Sequence, residues 1–167
     1  MKNIKRILVV VVVFVTSFVA QAQSVAHINS EELVSAMPDT KAMQDQMKVL
    51  GQNYDTEYKA QAQALQAKLQ KYQTEAATKT NEENEKRQQE VAEIKQKLDL
   101  YLRSAQEELQ KKEMDLLKPI IEKAQKAIQD VAREKGIKYV LDSAPGKGLI
   151  VFEGEDLLPA VKAKLGI

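Results

Sequence analysis

Few side chains in this sequence could act as a nucleophile or bind a metal ion. His27 is the only histidine, and the 167 residues include no cysteine. Zinc, iron and copper sites of the usual kind need several imidazole or thiolate ligands, which this chain does not supply. A serine nucleophile needs a basic partner, and no second feature supports His27 in that role. The sequence therefore predicts neither a metal centre nor a nucleophilic active site.

The other motifs that resemble catalytic or phosphate-binding chemistry have a structural explanation. Gly146-Lys147-Gly148 is glycine-rich, but no helix follows it directly, as a phosphate-binding loop requires. The carboxylate pairs Glu82-Glu83 and Glu107-Glu108 lie on predicted amphipathic helices. There, carboxylates mainly solvate the surface and pair with basic side chains a helical turn away. We therefore predict that the chain is not an enzyme and binds no cofactor.

Residues 1–22 have the features of a secretory signal. A basic start precedes an apolar run of 13 residues, 7–19, which is shorter than the roughly 20 residues that cross a bilayer as a helix. Ala20 and Ala22 supply the small residues that signal peptidase requires, which predicts cleavage after Ala22. The alternative is an uncleaved membrane anchor. A lipoprotein is not expected, because lipid attachment needs a cysteine.

The charge of the exported chain argues against a nucleic-acid partner. Three of the 25 basic residues lie in the predicted signal, so 22 remain against 24 acidic residues, for a net charge of −2. Residues 40–112 carry 13 basic and 12 acidic side chains, a net charge of +1. Nucleic-acid binding depends on concentrated positive charge. The basic pairs Lys86-Arg87 and Lys111-Lys112 are interpreted as ordinary surface, with transient contact with membrane lipids as the alternative.

The start of the mature chain predicts a strand followed by a short helix. Residues 24–28 are β-prone. Asn29, with Glu32 three positions later, has the spacing of a capping box, in which two side chains satisfy free backbone N–H groups at a helix start. The helix should end before Pro38, because the residue before a proline is disfavoured in the α region.

Between Pro38 and Pro119 a composition rich in Gln, Ala, Lys and Glu predicts two long helices. The first apolar stripe has a mean spacing of about 3.67 residues, close to an 11-residue repeat, which predicts a straight or slightly right-handed pairing. Thr80 and Glu83 have capping-box spacing between the stripes, so the chain should turn near 78–81 and run back antiparallel. The first stripe comprises Met43, Met47, Leu50, Tyr54, Tyr58, Ala62, Leu65, Leu69, Tyr72 and Ala76, and the second comprises Val91, Ile94, Leu98, Tyr101, Ala105 and Leu109.

The C-terminal part predicts a broader apolar helix face and more β structure. Pro119 lies within that face and should kink or restart the helix. Gly136 should end it. Residues 139–141 and 149–152, joined by a loop rich in glycine, predict a β-hairpin, and residues 156–165 predict a final short helix.

These elements predict a mainly α fold with a small β part. A long antiparallel helical hairpin of coiled-coil type should project from a small α/β body with about three short strands. The predicted divisions are the signal at 1–22, the first part of the body at 23–40, the hairpin arms at 41–113 and the second part of the body at 114–167. A thin hairpin cannot enclose a buried active site, so its function should lie in its surface.

The stripes contain side chains suited to weak and adaptable contacts. Methionine fits irregular apolar surfaces, and tyrosine has an apolar body with a polar tip. One interpretation is that these residues only hold the two arms together. The other interpretation is that the side chains that a two-helix seam cannot bury contact a bound partner. The candidates are Met43, Met47, Tyr54, Tyr58, Tyr72 and Tyr101.

Several segments resemble the Skp/OmpH family of periplasmic chaperones. Besides the export signal they are Val25-Ala26-His27-Ile28-Asn29, the break at Met37-Pro38, Tyr139-Val140-Leu141-Asp142 and the helix start at Asp156-Leu157. The resemblance covers the whole mature chain and is most specific at its two ends. It implies an ATP-independent holding chaperone of the periplasm that binds unfolded outer-membrane β-barrel proteins, its clients, and prevents their aggregation.

The resemblance also implies assembly into a homotrimer through the body strands. Well-known members of the family are markedly basic, whereas this mature chain is slightly acidic, so holding should rest on adaptable apolar contacts more than on charge. The alternative function is a coiled-coil spacer or adaptor protein of the cell envelope, which should carry a second continuous apolar seam. The residues implied in the trimer core are Val25, Ile28, Tyr139, Val140, Leu141, Ile150 and Phe152.

Overall fold

The computed structural model describes residues 25–167. The predicted signal, with its cleavage residues Ala20 and Ala22, lies outside the described residues. The strands are β1 (Val25–Ile28), β2 (Tyr139–Asp142) and β3 (Glu155–Asp156); the α-helices are α1 (Ser30–Ala36), α2 (Pro38–Glu75), α3 (Asn81–Glu134) and α4 (Leu158–Leu165), with a 3-10 turn at Ala76–Thr78. The predicted mainly α fold with a small β part is confirmed.

The chain divides into two compact units. Among the described residues, one unit comprises 25–33 and Gln125–Ile167, and we call it the α/β unit. The other comprises Val34–Ala124, and we call it the helical unit.

In the helical unit, Met37 separates α1 from α2. Its backbone is extended, at φ −72° and ψ 133°, because the ring of Pro38 disfavours the α region for the residue before it. Pro38 then occupies the start of α2, where its missing N–H needs no partner. Met37 and Thr40 are buried, and Thr40 Oγ1 donates a hydrogen bond of 2.5 Å to the Val34 carbonyl. The predicted break before Pro38 is confirmed.

The 3-10 turn and the two residues Lys79 and Thr80 connect α2 to α3. The backbone N–H of Thr80 donates to Glu83 Oε2 at 3.0 Å, and the N–H of Glu83 donates to Thr80 Oγ1 at 3.2 Å. These two bonds form the predicted capping box, which satisfies N–H groups at the start of α3. The Thr80 N–H also lowers the pKa of the Glu83 carboxyl. Asn84 Nδ2 donates to the Ala76 carbonyl at 3.0 Å and ties the turn to α3.

The helix α3 continues through Pro119. The prediction that the helix could restart there is wrong. Proline removes the hydrogen bond to the carbonyl four residues earlier, which belongs to Asp115. Both Asp115 and Pro119 are exposed, so water can satisfy that carbonyl, while the neighbouring Ile120 is buried.

A glycine ends α3 in the α/β unit. Gly136 lies at φ 68°, a left-handed conformation that glycine adopts without steric cost. Its N–H donates to the Arg133 carbonyl at 3.1 Å, and the N–H of Ile137 donates to the Ala132 carbonyl at 2.8 Å. This pair of bonds is a Schellman motif, so the predicted end at Gly136 is confirmed.

The three strands form one parallel sheet with the order β2-β1-β3. Val25 of β1 lies in register with Tyr139 of β2, and His27 lies in register with Leu141 on one side and Asp156 on the other. The first strand of the described residues is therefore the central strand.

The predicted β-hairpin of residues 139–141 and 149–152 is wrong. Residues 149–152 belong to no strand, and the third strand is Glu155–Asp156. Parallel strands need a crossover of about a dozen residues, and residues 143–154 supply it between β2 and β3. The N–H of Ser143 donates to the Ile28 carbonyl at 2.9 Å, which continues the parallel ladder of β1 and β2 by one bond beyond Asp142.

The core of the α/β unit lies on one face of the sheet. Ala26 and Ile28, which alternate with exposed or half-buried residues of β1, are each 2% exposed. Leu33, Leu157 and Val161 are fully inaccessible. The remaining buried apolar residues of this unit are Ala127, Val131, Ala132, Ile137, Ala144 and Leu158.

Asn29 caps α1, as predicted. Its Oδ1 accepts a hydrogen bond of 3.0 Å from the N–H of Glu32. The Glu32 carboxylate accepts a bond of 2.9 Å from Lys162 Nζ on α4. One half of the predicted capping box is therefore present, and Glu32 also joins the two ends of the unit.

Candidate functional site

The sheet face opposite the core is open in the described chain. Val25 is 44% exposed, and on β2 Tyr139 is 55% and Leu141 44% exposed. Parallel sheets are almost always covered on both faces, because their strands carry apolar residues on both. The exposed apolar side chains on this face are therefore typical of a surface that another polypeptide covers.

The crossover after β2 adds further exposed apolar residues. Ile150 is 93% exposed, Val151 73% and Phe152 48%. The Phe152 ring lies 4.8 Å from the His27 ring, centroid to centroid, at an angle of 58°. We call Val25, His27, Tyr139, Leu141 and Phe152 the open face.

The structure places the predicted trimer-core residues in three different environments. Five are exposed, and Val140 is half-buried. Ile28 lies on the opposite side of β1, in the core of its own unit. The sequence interpretation did not include His27 in this set. The alternation along β1 could have identified it, because residues two apart on a strand share a face. The exposed five are Val25, Tyr139, Leu141, Ile150 and Phe152.

His27 is close to a serine, and within residues 25–167 no carboxylate is hydrogen-bonded to its ring. Its Nδ1 lies 3.3 Å from Ser143 Oγ. The nearby Asp142 carboxylate accepts bonds from Ser30 Oγ at 2.6 Å and from the N–H groups of Ser30 and Ala144. Burial raises the pKa of Asp142, but these hydrogen bonds outweigh burial and hold it below its usual range. Asp142 thus holds α1 and the crossover in place.

A groove of about 690 Å³ runs along one side of the α/β unit. Its apolar lining comes from Ile128 and Ala132 of α3 and from Ile137 and Val140. Val140 belongs to β2, which is an edge strand of the described sheet and pairs with β1 on one side only. The groove and the open face therefore meet at the same edge of the sheet.

In the helical unit, tyrosines and glutamates join α2 to α3. The Tyr101 hydroxyl donates to Glu57 Oε2 at 2.9 Å, and the Tyr54 hydroxyl donates to Glu108. The two rings meet edge to face, with centroids 6.2 Å apart. Burial, followed by the bond to Glu57, raises the pKa of Tyr101 to about 12. The bond to Glu108 raises the pKa of Tyr54.

A second polar cluster lies nearer the turn. The Tyr72 hydroxyl donates to Glu90 Oε2 at 2.5 Å, and Lys68 also bonds to Glu90. Lys68, then Tyr72, lowers the pKa of Glu90. The Arg87 guanidinium lies 4.5 Å from the Tyr72 ring centroid and donates to Glu75 at 2.6 Å. The polar tips of all three tyrosines are thus committed to the opposite helix.

The pair Lys86-Arg87 is not a free basic patch. Lys86 Nζ lies 2.8 Å from Glu82 Oε1, and Arg87 is only 17% exposed in its contact with Glu75. These contacts support the interpretation of this pair as ordinary surface.

The remaining predicted contact residues are Met43, Met47 and Tyr58, and all three are half-buried. Met43 lines a cavity of about 380 Å³ that Leu116 and Ile120 of α3 also line. Methionine can adapt to such an irregular space.

The most exposed apolar side chains of the helical unit lie off the predicted stripes. Val49 is 56% exposed, Leu100 54%, Leu102 43% and Met114 65%. The apolar pattern of the sequence does not reveal them, because they are not spaced three or four residues apart as the residues of a helix seam are. Leu100 and Met114 are 14 residues apart, but Glu107 occupies the intermediate heptad position. They therefore form no continuous second seam.

Within residues 25–167, none of the helices combines the length and the apolarity needed to cross a bilayer. The histidine, aspartate and glutamate side chains of this described part form no cluster suited to a metal ion.

The fold matches that of a solved protein. The crystal structure of a putative outer membrane chaperone (OmpH-like) from Caulobacter crescentus is similar, with a TM-score of 0.76 and 19% sequence identity. The match covers 85% of this chain and 83% of that one, and at this identity it shows the fold. Among curated protein sequences, none matches this chain.

Residues 24–165 match the family described as outer membrane protein (OmpH-like). The match includes both segments of the α/β unit and the whole of the helical unit. The chain belongs to the OmpH-like outer membrane protein family.

Proposed function

We propose that this protein is an ATP-independent holding chaperone of the periplasm, which binds unfolded outer-membrane β-barrel proteins and prevents their aggregation. The observation that carries the proposal is the dispersed exposure of apolar side chains on the helical unit, at Val49, Leu100, Leu102 and Met114. Membership of the OmpH-like family supports it.

Dispersed apolar contacts suit reversible holding. Burying part of an exposed leucine or methionine contributes about 1 kcal/mol, at roughly 25 cal/mol per Å². Many such contacts retain an unfolded chain, yet each breaks readily, so release needs no nucleotide. The charge of the mature chain, −2, supports holding by apolar contacts over capture by charge.

The tyrosines divide into two roles in this proposal. Tyr54, Tyr72 and Tyr101 stiffen the helix pair, because their hydroxyl groups bond to glutamates of the opposite helix. Their ring edges, with Met43, Met47 and Tyr58, remain proposed client contacts.

The open face supports assembly of identical copies. A second copy of the chain would cover Val25, Tyr139 and Leu141 and shield Ile150, which is 93% exposed. The resemblance to the Skp/OmpH family implies a homotrimer, so three copies is the proposed number. The mass of the mature chain in solution, measured by light scattering during gel filtration, tests this directly. A monomer at micromolar concentration would remove the proposed assembly.

Suppression of aggregation tests the holding function. A urea-unfolded outer-membrane β-barrel protein is diluted with and without the mature chain, and light scattering is followed. We expect suppression at a small molar excess and no change on adding ATP. Failure at a several-fold excess of the assembled chain would overturn the proposal.

A matched pair of variants locates the client surface. The test variant combines Val49→Ser, Leu100→Ser, Leu102→Ser and Met114→Ser, and we expect it to suppress aggregation several-fold less well. The control places four serines at exposed polar positions of the same helices, Gln52→Ser, Gln63→Ser, Gln66→Ser and Gln89→Ser. Equal activity of the two variants would argue against holding by these side chains.

The alternative of a spacer or adaptor is less well supported. A rod that docks on another coiled coil needs a continuous second seam, and Glu107 interrupts the one heptad series that contains Leu100 and Met114.

A further inference from the structure

We infer that His27 makes assembly through the open face sensitive to pH, so that the copies separate in mildly acidic solution. The inference rests on the proposed assembly and adds a means of regulating it.

His27 occupies the centre of the open face. It lies on the central strand β1, on the same side as Val25, between Leu141 of β2 and Asp156 of β3. Its ring is half-buried already, against the Phe152 ring at 4.8 Å and Ser143 Oγ at 3.3 Å. Any polypeptide that covers this face must therefore cover the imidazole.

The aromatic contact and the hydrogen bond of the ring both involve neutral groups. Phe152 offers an apolar ring, and Ser143 offers a hydroxyl that serves either protonation state of the imidazole. Tyr139 is the other titratable group of β1 and β2 on this face, because Asp142 lies in register with Ile28 on the opposite side.

The charged groups of the neighbouring elements are partly engaged elsewhere. On β3, Asp156 Oδ1 accepts a bond of 2.9 Å from the N–H of Leu158, and Glu155 forms an ion pair of 2.7 Å with Lys135. The crossover carries Lys147 and Glu153, and both are exposed. Asp156 is the carboxylate in register with His27, so it is the group that could offset a positive charge there.

These surroundings set the direction of the pH effect. Histidine changes its charge between about pH 5 and 8. In separated copies a protonated His27 keeps much of its solvation, whereas in an assembly it would be covered by apolar surface, and burial disfavours the charged form. Protons therefore bind more tightly to separated copies, and acidification favours separation. Each pH unit over which the two states differ by one proton weakens assembly by about tenfold per copy.

Sedimentation equilibrium of the mature chain at about pH 7.5 and 5.5 tests the inference. We expect the wild-type protein to assemble at the higher pH and to need at least about tenfold more protein to assemble at the lower one. His27→Gln keeps a polar, neutral side chain beside Ser143 and should assemble equally at both values. His27→Lys carries a permanent charge and should assemble poorly at both.

The possible outcomes distinguish a failure of the inference about His27 from a failure of the proposed assembly. A wild-type protein that is monomeric at pH 7.5 removes the proposed assembly. A wild-type protein that assembles equally at both pH values leaves the assembly intact and overturns the inference about His27. Loss of assembly at pH 5.5 in both wild type and His27→Gln also overturns it, because the carboxylates would then be responsible. His27→Ile, with circular dichroism to verify its helices, repeats the test if His27→Gln does not fold.

Asp156→Asn tests the competing electrostatic effect. If Asp156 partly offsets the charge of protonated His27, its removal should steepen the loss of assembly between pH 7.5 and 5.5. A shallower loss would show that the carboxylate, and not the imidazole, is the group that titrates.

Discussion

The core of the α/β unit and the seam between the two long helices exclude water from their apolar side chains to different degrees. Leu33, Leu157 and Val161 of the α/β unit are completely inaccessible, whereas the best-buried leucines of the helix seam, Leu65 and Leu98, remain 8% exposed. Most other members of the two stripes are half-buried. A sheet with helices on one face can enclose side chains, but two helices can only cover one side of each other. The helical unit therefore depends also on hydrogen bonds, caps and ion pairs at its surface.

The largest expected effect comes from the core of the α/β unit. Leu157→Ala should lower the free energy of unfolding by about 4 kcal/mol, because it removes a fully buried side chain and leaves a cavity. Urea denaturation followed by circular dichroism measures the change at a fixed protein concentration. Leu100→Ala, at a position 54% exposed, is the control and should change it by less than about 0.5 kcal/mol.

The same substitution in the seam should cost less. Leu65→Ala is expected to lower the free energy of unfolding by about 2 kcal/mol, at the low end for leucine, because water and neighbouring side chains can fill the gap. The same urea experiment measures it. A loss as large as that of Leu157→Ala would show that the seam is as dry as a globular core.

The cap at the turn should have a smaller effect. Thr80→Ala removes the hydroxyl that accepts from the Glu83 N–H and should cost about 1 kcal/mol of stability. Thr56→Ala is the matched control, because the Thr56 hydroxyl only bonds back to the Gln52 carbonyl within α2. Equal thermal midpoints for the two variants would contradict a stabilising role of the capping box.

The smallest effect appears only in alkaline solution. The pKa of Tyr101 is about 12 in the folded protein against 10.0 for an ordinary tyrosine, so the unfolded chain loses this proton first. The contribution of the protonated Tyr101 hydroxyl to the stability of the fold is therefore complete below pH 10 and is lost as the pH rises towards 12. Tyr101→Phe should make the thermal midpoint fall less steeply over this range than in the wild type. A slope in the variant as steep as that of the wild type would contradict this role of the Tyr101 hydroxyl.

The features that depend on neighbouring residues could be predicted from the sequence. The break at Met37-Pro38, the capping box at Thr80 and the helix end at Gly136 follow from the conformational limits of a few residues and from side chains that reach nearby N–H groups. The two stripes also predicted the two long helices correctly, because a period of 3.6 is hard to produce in any other structure.

The features that depend on distant residues could not be predicted in this way. The β-prone segment at 149–152 lies outside the sheet because the parallel order forces a crossover there, and nothing in the segment itself indicates which strand would be its neighbour. Nor does the sequence show that the Tyr101 hydroxyl meets Glu57, since the two residues are 44 positions apart and their contact depends on the exact pairing of α2 with α3. The open face was identified only in part. His27 was missed, because a polar side chain is not expected in the middle of an apolar surface.

The position of β1 at the centre of the sheet has a consequence for how the chain folds. Val25 must find Tyr139, 114 residues later, before either β2 or β3 has a partner. Such pairing is slow, because a long loop must close before the strands make contact. The helices α2 and α3, by contrast, can pair progressively from the turn at Thr80 through local contacts. The helix pair should therefore form first and shorten the effective loop, and the sheet should close last. During synthesis the N-terminal strand must stay unpaired until almost the whole chain has emerged.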